Sequence, residues 1–206
     1  YLDALLSPML FFAPAFFIPY FMSLNFSFFQ IGVLLALPFL ASLIFEIPTG
    51  AFADAYGRKL SVLVSVASIG IIFTSIYFVS TYTSLAILHF LFGIAGTFST
   101  GAREAWQMDL IGKRNQERVH SFFTKYQSFD SFGLIVSGIL GAYLVSKFDF
   151  RIIWLFGGAS CLVSLLLLIL AKEKFVKPQH TSIADGYRAI KNNMRDSIRY
   201  SKSHPV

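Results

Sequence analysis

Apolar residues dominate long stretches of this chain, broken only by brief polar connections. The stretches fall at residues 5–24, 28–52, 60–79, 84–108, 119–146 and 152–171. A helix needs about 20 residues to cross the hydrocarbon layer, so each stretch is long enough for one crossing. Helix is the only regular structure that suits them, because backbone groups in hydrocarbon must be satisfied within the segment and the runs are too long for barrel strands. The predicted fold class is therefore all-α membrane: a six-transmembrane-helix bundle. Pro8, Pro14, Pro19, Pro38 and Pro48 lie in the first two stretches. They predict kinks, tolerable where neighbouring helices or a cavity re-satisfy the freed carbonyls.

The connections alternate in character. Residues 25–27, 80–83 and 147–151 make very short turns, whereas 53–59 and 109–118 are longer and charged, and the chain turns polar after 171. Lys and Arg follow the same alternation. Arg58, Lys59, Lys113, Arg114, Arg118 and eight more beyond 171 lie on the charged side, against Lys147 and Arg151 on the other. The positive-inside rule then predicts an integral, multi-pass protein of the cell (plasma or inner) membrane with both ends of this chain in the cytoplasm.

Composition sharpens this picture. Of 206 residues, 55% are hydrophobic and 14% charged, where a soluble domain carries about 25% charged. Such a chain cannot cover a water-facing surface, which argues against a soluble enzyme, a nucleic-acid binder or a disordered segment. The pI near 9.5 reports membrane orientation rather than a nucleic-acid partner. Cys161 is the only cysteine, so it reads as a small core residue with no intrachain disulfide. His89, His120, His180 and His204 show no metal-ligand spacing, and no cofactor and no catalysis are expected. Twenty-four Phe are assigned mostly to lipid-facing or bundle packing, with a minority lining a cavity.

The division of the chain is expected at 171, with a six-span bundle over 1–171 and a basic cytoplasmic linker over 172–206. In the linker, Ser182 and Asp185 have capping-box spacing. Ile183, Tyr187, Ile190, Met194 and Ile198 then recur at helical spacing beside Arg188, Lys191, Arg195, Arg199 and Lys202. This predicts an amphipathic helix lying on anionic membrane lipids; a protein partner could use the same face.

Ionisable residues inside spans are costly and are functional candidates by default. Glu46 and Arg103 each lie six residues, roughly 9 Å, from the predicted ends of their spans, and equal depth predicts a pair between them. Asp130 lies about 16 Å into the fifth span, near the middle of the hydrocarbon layer, and shares a face with Tyr126, Gly133 and Ser137. A carboxylate there can carry a coupling proton or meet a cationic substrate. Pairing with Lys125 or another helix is the alternative.

The segment Gly50-Ala51-Phe52-Ala53-Asp54-Ala55-Tyr56-Gly57-Arg58-Lys59 assigns separate jobs to its residues. Gly50 permits close helix approach and Gly57 a tight turn. Asp54 can accept hydrogen bonds from a neighbouring helix N-terminus, and Arg58 can fork onto an acid. With Glu46-Ile47-Pro48-Thr49 before it, this segment resembles the loop signature between the second and third spans of the major facilitator superfamily. The resemblance covers essentially the whole chain as the amino-terminal half of a twelve-span transporter, with 172–206 as the central loop and His204-Pro205-Val206 approaching a seventh span. It implies a small-molecule substrate, a missing carboxy-terminal six-helix half, and a conformational lock of Gly50, Asp54, Gly57, Arg58, Lys59 and Asp109 in which Arg58 engages Asp109. The implied function is secondary active transport by alternating access, with proton-coupled efflux as one form. A non-transporting scaffold or receptor on the same fold is the alternative. Departures from the family pattern are Ala55 where a basic residue is common, His89 four residues before Gly93 where an arginine is common, and a fifth span with Gly133, Ser137, Gly138 and Gly141 but no Gly-Pro pair. His89 is either a titratable coupling group or a packing histidine.

Overall fold

The computed structural model describes residues 12–111 and 116–171. Every regular element among them is a helix. The order is α1 (Phe12–Ser23), α2 (Phe28–Tyr56), α3 (Arg58–Phe78), α4 (Tyr82–Thr97), α5 (Ala102–Ile111), α6 (Gln116–Lys147) and α7 (Ile152–Leu170). Five stretches are long and apolar enough to cross a membrane, with α4 and α5 together forming one of them. The described part of the first predicted span is α1. The predicted amphipathic helix and the rest of 172–206 lie outside the described residues.

Local chemistry sets the turns. Asn25, at φ 61°, takes the left-handed conformation that asparagine tolerates. Ser27 and Gln30 then cap α2 reciprocally: Ser27 Oγ accepts from Gln30 N at 3.3 Å and Gln30 Oε1 from Ser27 N at 2.9 Å. α2 runs unbroken through Pro38 and Pro48. Next to the bond that Pro48 cannot make, Thr49 Oγ1 donates to Phe45 O at 2.8 Å.

Two sequence expectations are corrected here. The predicted loop 53–59 shrinks to one residue, Gly57, because Ala53–Tyr56 finish α2 and Arg58 begins α3. Gly57 alone, at φ 109°, supplies a turn that L residues resist. The predicted continuous span 84–108 breaks at residues 98–101, where Gly101 takes φ 69°. Gly96 O collects Ser99 N at 2.9 Å and Thr100 N at 3.2 Å, and Ser61 Oγ on α3 donates to Phe98 O at 2.6 Å, so carbonyls freed by the break are satisfied inside the bundle.

The main packing pairs are α3 with α7 and α2 with α4. Lipid tails are as apolar as the helices, so association relies on close packing rather than on hydrophobic burial. Small residues provide it. A Cβ on Gly93 of α4 would sit 2.3 Å from Pro38 O of α2, and one on Gly158 of α7 would sit 2.5 Å from Thr74 Oγ1 of α3. Gly70 likewise faces Cys161, whose Cβ would lie at 2.9 Å. Buried residues gather at the two ends: Tyr20, Phe21, Leu34, Phe73, Leu85 and Trp154 near the short loops, and Ala53, Val62, Val66, Trp106, Cys161 and Leu168 near the charged end. Phe39, Leu43, Ile71 and Leu166 stay exposed, as suits a surface bathed in lipid.

Candidate functional site

The charged end gathers side chains from four helices. Because the α2–α3 turn is a single residue, Arg58 occupies the first position of α3 and reaches sideways to α5. Its Nη1 donates to Asp109 Oδ2 and, at 3.4 Å, to Ala105 O. About a third of each side chain remains exposed. The next residue turns the other way: Lys59 Nζ donates to Ile169 O at 2.9 Å and Ala171 O at 2.5 Å. A cation placed on the last carbonyls of α7 satisfies groups that have no partner within the helix and meets the negative end of its dipole. Arg58 and Lys59 thus clamp α3 to both α5 and α7.

The acid on the other side of the turn is left open. Asp54, in the last turn of α2, is exposed and its carboxylate has no hydrogen bond or ion pair among the described residues. Gly50, one turn earlier, has no atom within 4 Å of where a Cβ would stand. The close approach expected of Gly50 is therefore not made among the described residues; the position faces open space one turn from Asp54.

The charges within the spans are arranged differently from the sequence expectation. No salt bridge joins Glu46 to Arg103 among the described residues: Glu46 is exposed on α2, while Arg103 Nε donates to Ser99 Oγ at 3.2 Å. Equal depth was insufficient because the break at 98–101 re-aims the start of α5. The charge that acts on Asp130 is the Arg103 guanidinium, not Lys125, which is exposed on α6. Asp130 and Tyr126 are half-buried, and Gly133 and Ser137 on the same face are buried. His89 is enclosed. It is 3% exposed, its Nδ1 lies 2.8 Å from Leu85 O, and the rings of Phe21, Phe17 and Trp154 surround it with centroids at 5.3, 6.0 and 6.3 Å.

Sequence reasoning missed the Lys59 cap on α7, since the partners are backbone carbonyls more than a hundred residues away. It also missed the break in the fourth span, although the cluster Gly96-Thr97-Phe98-Ser99-Thr100-Gly101 carried a turn signal. No group of three or more potential metal ligands occurs among the described residues.

The profile of the Major Facilitator Superfamily matches residues 4–202. Among curated proteins, the chain is 27% identical over 187 residues to "Uncharacterized MFS-type transporter YxaM" of Bacillus subtilis (strain 168), covering 89% of this chain and 43% of that protein. The chain spans less than half the length of this relative. With a helical membrane bundle whose second and third spans meet at a Gly57-Arg58 turn clasped to Asp109, and a family match over nearly its whole length, the chain belongs to the Major Facilitator Superfamily.

Proposed function

We propose that this chain is one half of a secondary transporter that moves a small solute by alternating access, with its charged end in the cytoplasm. The observation that carries the reading is the asymmetry of the 50–59 segment. Its basic residues are engaged inside this half, on α5 and α7, whereas Asp54 and the open position at Gly50 are left facing outward. A second six-helix half, packing against Gly50 and offering a helix N-terminus to Asp54, would complete the lock. Breaking that contact while Arg58 and Lys59 hold this half rigid gives the two arrangements that alternating access needs.

Within the bundle, Asp130 is the proposed coupling group. Support comes from its place in the middle of α6, its partial exposure and the Arg103 cation whose field acts on it. His89 is assigned to packing in the aromatic cluster instead. Counterflow uptake in proteoliposomes of the complete gene product tests the function. Saturable exchange of at least one solute is expected; none across a broad panel would favour a scaffold or receptor.

A further inference from the structure

α3 and α7 cross closely, and beside the crossing lies a recess. The line of contact runs through Gly70 against Cys161 and Thr74 against Gly158, where a Cβ added to either glycine would stand 2.9 and 2.5 Å from the facing atom. Next to this line Ala67, Gly70 and Cys161 form the floor of a recess of about 360 Å³, and Ile71, Phe78 and Leu162 border it. The floor is buried or half-buried, whereas the three bordering side chains are exposed on the outside of the bundle. Small residues that let the two backbones approach thus leave a channel between larger ones.

Its chemistry suits hydrocarbon. The two hydroxyls of the lining bond within their own helix: Thr74 Oγ1 donates to Gly70 O and Ser75 Oγ to Ile71 O, each at 2.8 Å, so neither proton is left for a polar ligand. From Leu60 to Phe78 and from Ile152 to Leu170, neither helix carries Asp, Glu, Lys, Arg or His. α2 and α6 differ, with Glu46 and Asp54 exposed on α2 and Lys125 on α6. Charges within spans face protein or water rather than hydrocarbon, so α2 and α6 are the helices that require a second half, while the α3–α7 face can meet lipid. Length then separates lipid from another protein. The strip from Ala67 to Phe78 covers roughly 16 Å of α3, close to the ~15 Å of hydrocarbon in one leaflet. It begins near the middle of α3 and ends at the last residue of that helix, as an acyl chain runs between midplane and headgroup. A helix of another protein would cross both leaflets and need a strip about twice as long.

We propose that this recess is a binding site for one acyl chain of a membrane phospholipid, taken from the leaflet at the short-loop end. The chain lies over Ala67, Gly70 and Cys161, between the side chains of Ile71 and Phe78 on α3 and Leu162 on α7. It restores dispersion contacts that an empty recess would forfeit, so it packs the α3–α7 crossing and exchanges more slowly than lipid on the open surface. The lining recognises the chain and not the headgroup, because it is apolar and its hydroxyls are already bonded. The site is independent of the transport reading, since it requires only that α3 and α7 cross a membrane.

The test uses the complete gene product, purified from membranes in mild detergent. Native mass spectrometry counts the phospholipids retained by the unsubstituted protein and by Ala67→Phe, Ser75→Phe and Leu166→Phe. The first two put a ring into the recess, whereas Leu166 is exposed on α7 outside its lining. The unsubstituted protein and Leu166→Phe should retain the same number, and Ala67→Phe and Ser75→Phe one fewer. Equal numbers in all four proteins, or no phospholipid on the unsubstituted one, would overturn the site. A second measurement needs no variant to fold. Phosphatidylethanolamine with a diazirine halfway along one acyl chain is reconstituted with the unsubstituted protein and irradiated, and the labelled peptides are mapped. A chain enclosed in the recess should label residues 67–78 and 161–165 at least about threefold more than residues 60–66 of the same helix α3. Labelling no greater at 67–78 than at 60–66 would reject the proposal, including the case in which another part of the protein covers the recess.

Discussion

Arg58 and Asp54 stand four residues apart yet answer to different partners, and their substitutions should differ accordingly. Arg58 is bonded to Asp109 and Ala105 within this half, but the pair is a third exposed, so Arg58→Gln should lower stability by only about 0.5–1 kcal/mol. A double-mutant cycle with Asp109→Asn in thermal unfolding should recover most of that as coupling. Asp54→Asn removes no contact inside this half and should leave stability within about 0.5 kcal/mol while slowing transport. A well-expressed Asp54→Asn transporter with normal turnover would remove its place in the lock. Asp130→Asn mimics a permanently protonated carboxyl. Counterflow, which needs no net ion movement, should survive it better than gradient-driven accumulation, measured at several pH values and sodium concentrations. If both fell together, Asp130 would be a packing residue. These roles were legible in the sequence only as candidates. Spacing put Asp54, Arg58 and Asp109 at a membrane boundary, but it could not say which acid faces inward.

At the scale of helices, the bundle depends on a few backbone-close crossings, and glycines of one helix differ sharply in what they touch. A Cβ at Gly93 would meet Pro38 O at 2.3 Å and Pro38 Cα at 2.6 Å, whereas at Gly96, three residues on, nothing lies within 4 Å. Gly93→Ala should therefore cost about 1–3 kcal/mol through overpacking of α2 against α4. Gly96→Ala should be neutral or stabilising, since alanine is the better helix former by about 1 kcal/mol. Unfolding midpoints in detergent would compare them, and equal midpoints would contradict the α2–α4 crossing. Nothing in the sequence separates these two glycines. They share a helix and similar neighbours, and only the position of Pro38, more than fifty residues earlier, distinguishes them. The Phe98–Gly101 break is the same kind of case, because its apolar flanks hid a turn that bonds from Ser61 help to complete.

For the whole molecule, the charge asymmetry predicts one orientation. Single cysteines at positions 58 and 114 should resist an impermeant maleimide added outside intact cells, while one at 147 should react; the reverse pattern would invert the topology. The helical nature of the crossings and the alternation of charge along the chain were set by the sequence alone. Each follows from composition along the chain: hydrocarbon forbids unsatisfied backbone over about 20 residues, and cations are sorted by side. The family likeness was equally local, carried by ten consecutive residues. What the tertiary structure decided was every pairing between distant residues. Lys59 caps the far end of α7, Arg103 acts on Asp130 rather than bonding Glu46, and His89 is walled in by rings. Such outcomes depend on the rotation and crossing of each helix, which packing against neighbours fixes, and a periodic apolar run carries almost no record of it. In a soluble helix the polar face announces which side is out. Here lipid and core are both apolar, so the pattern that normally encodes orientation is absent, and contact geometry supplies it instead.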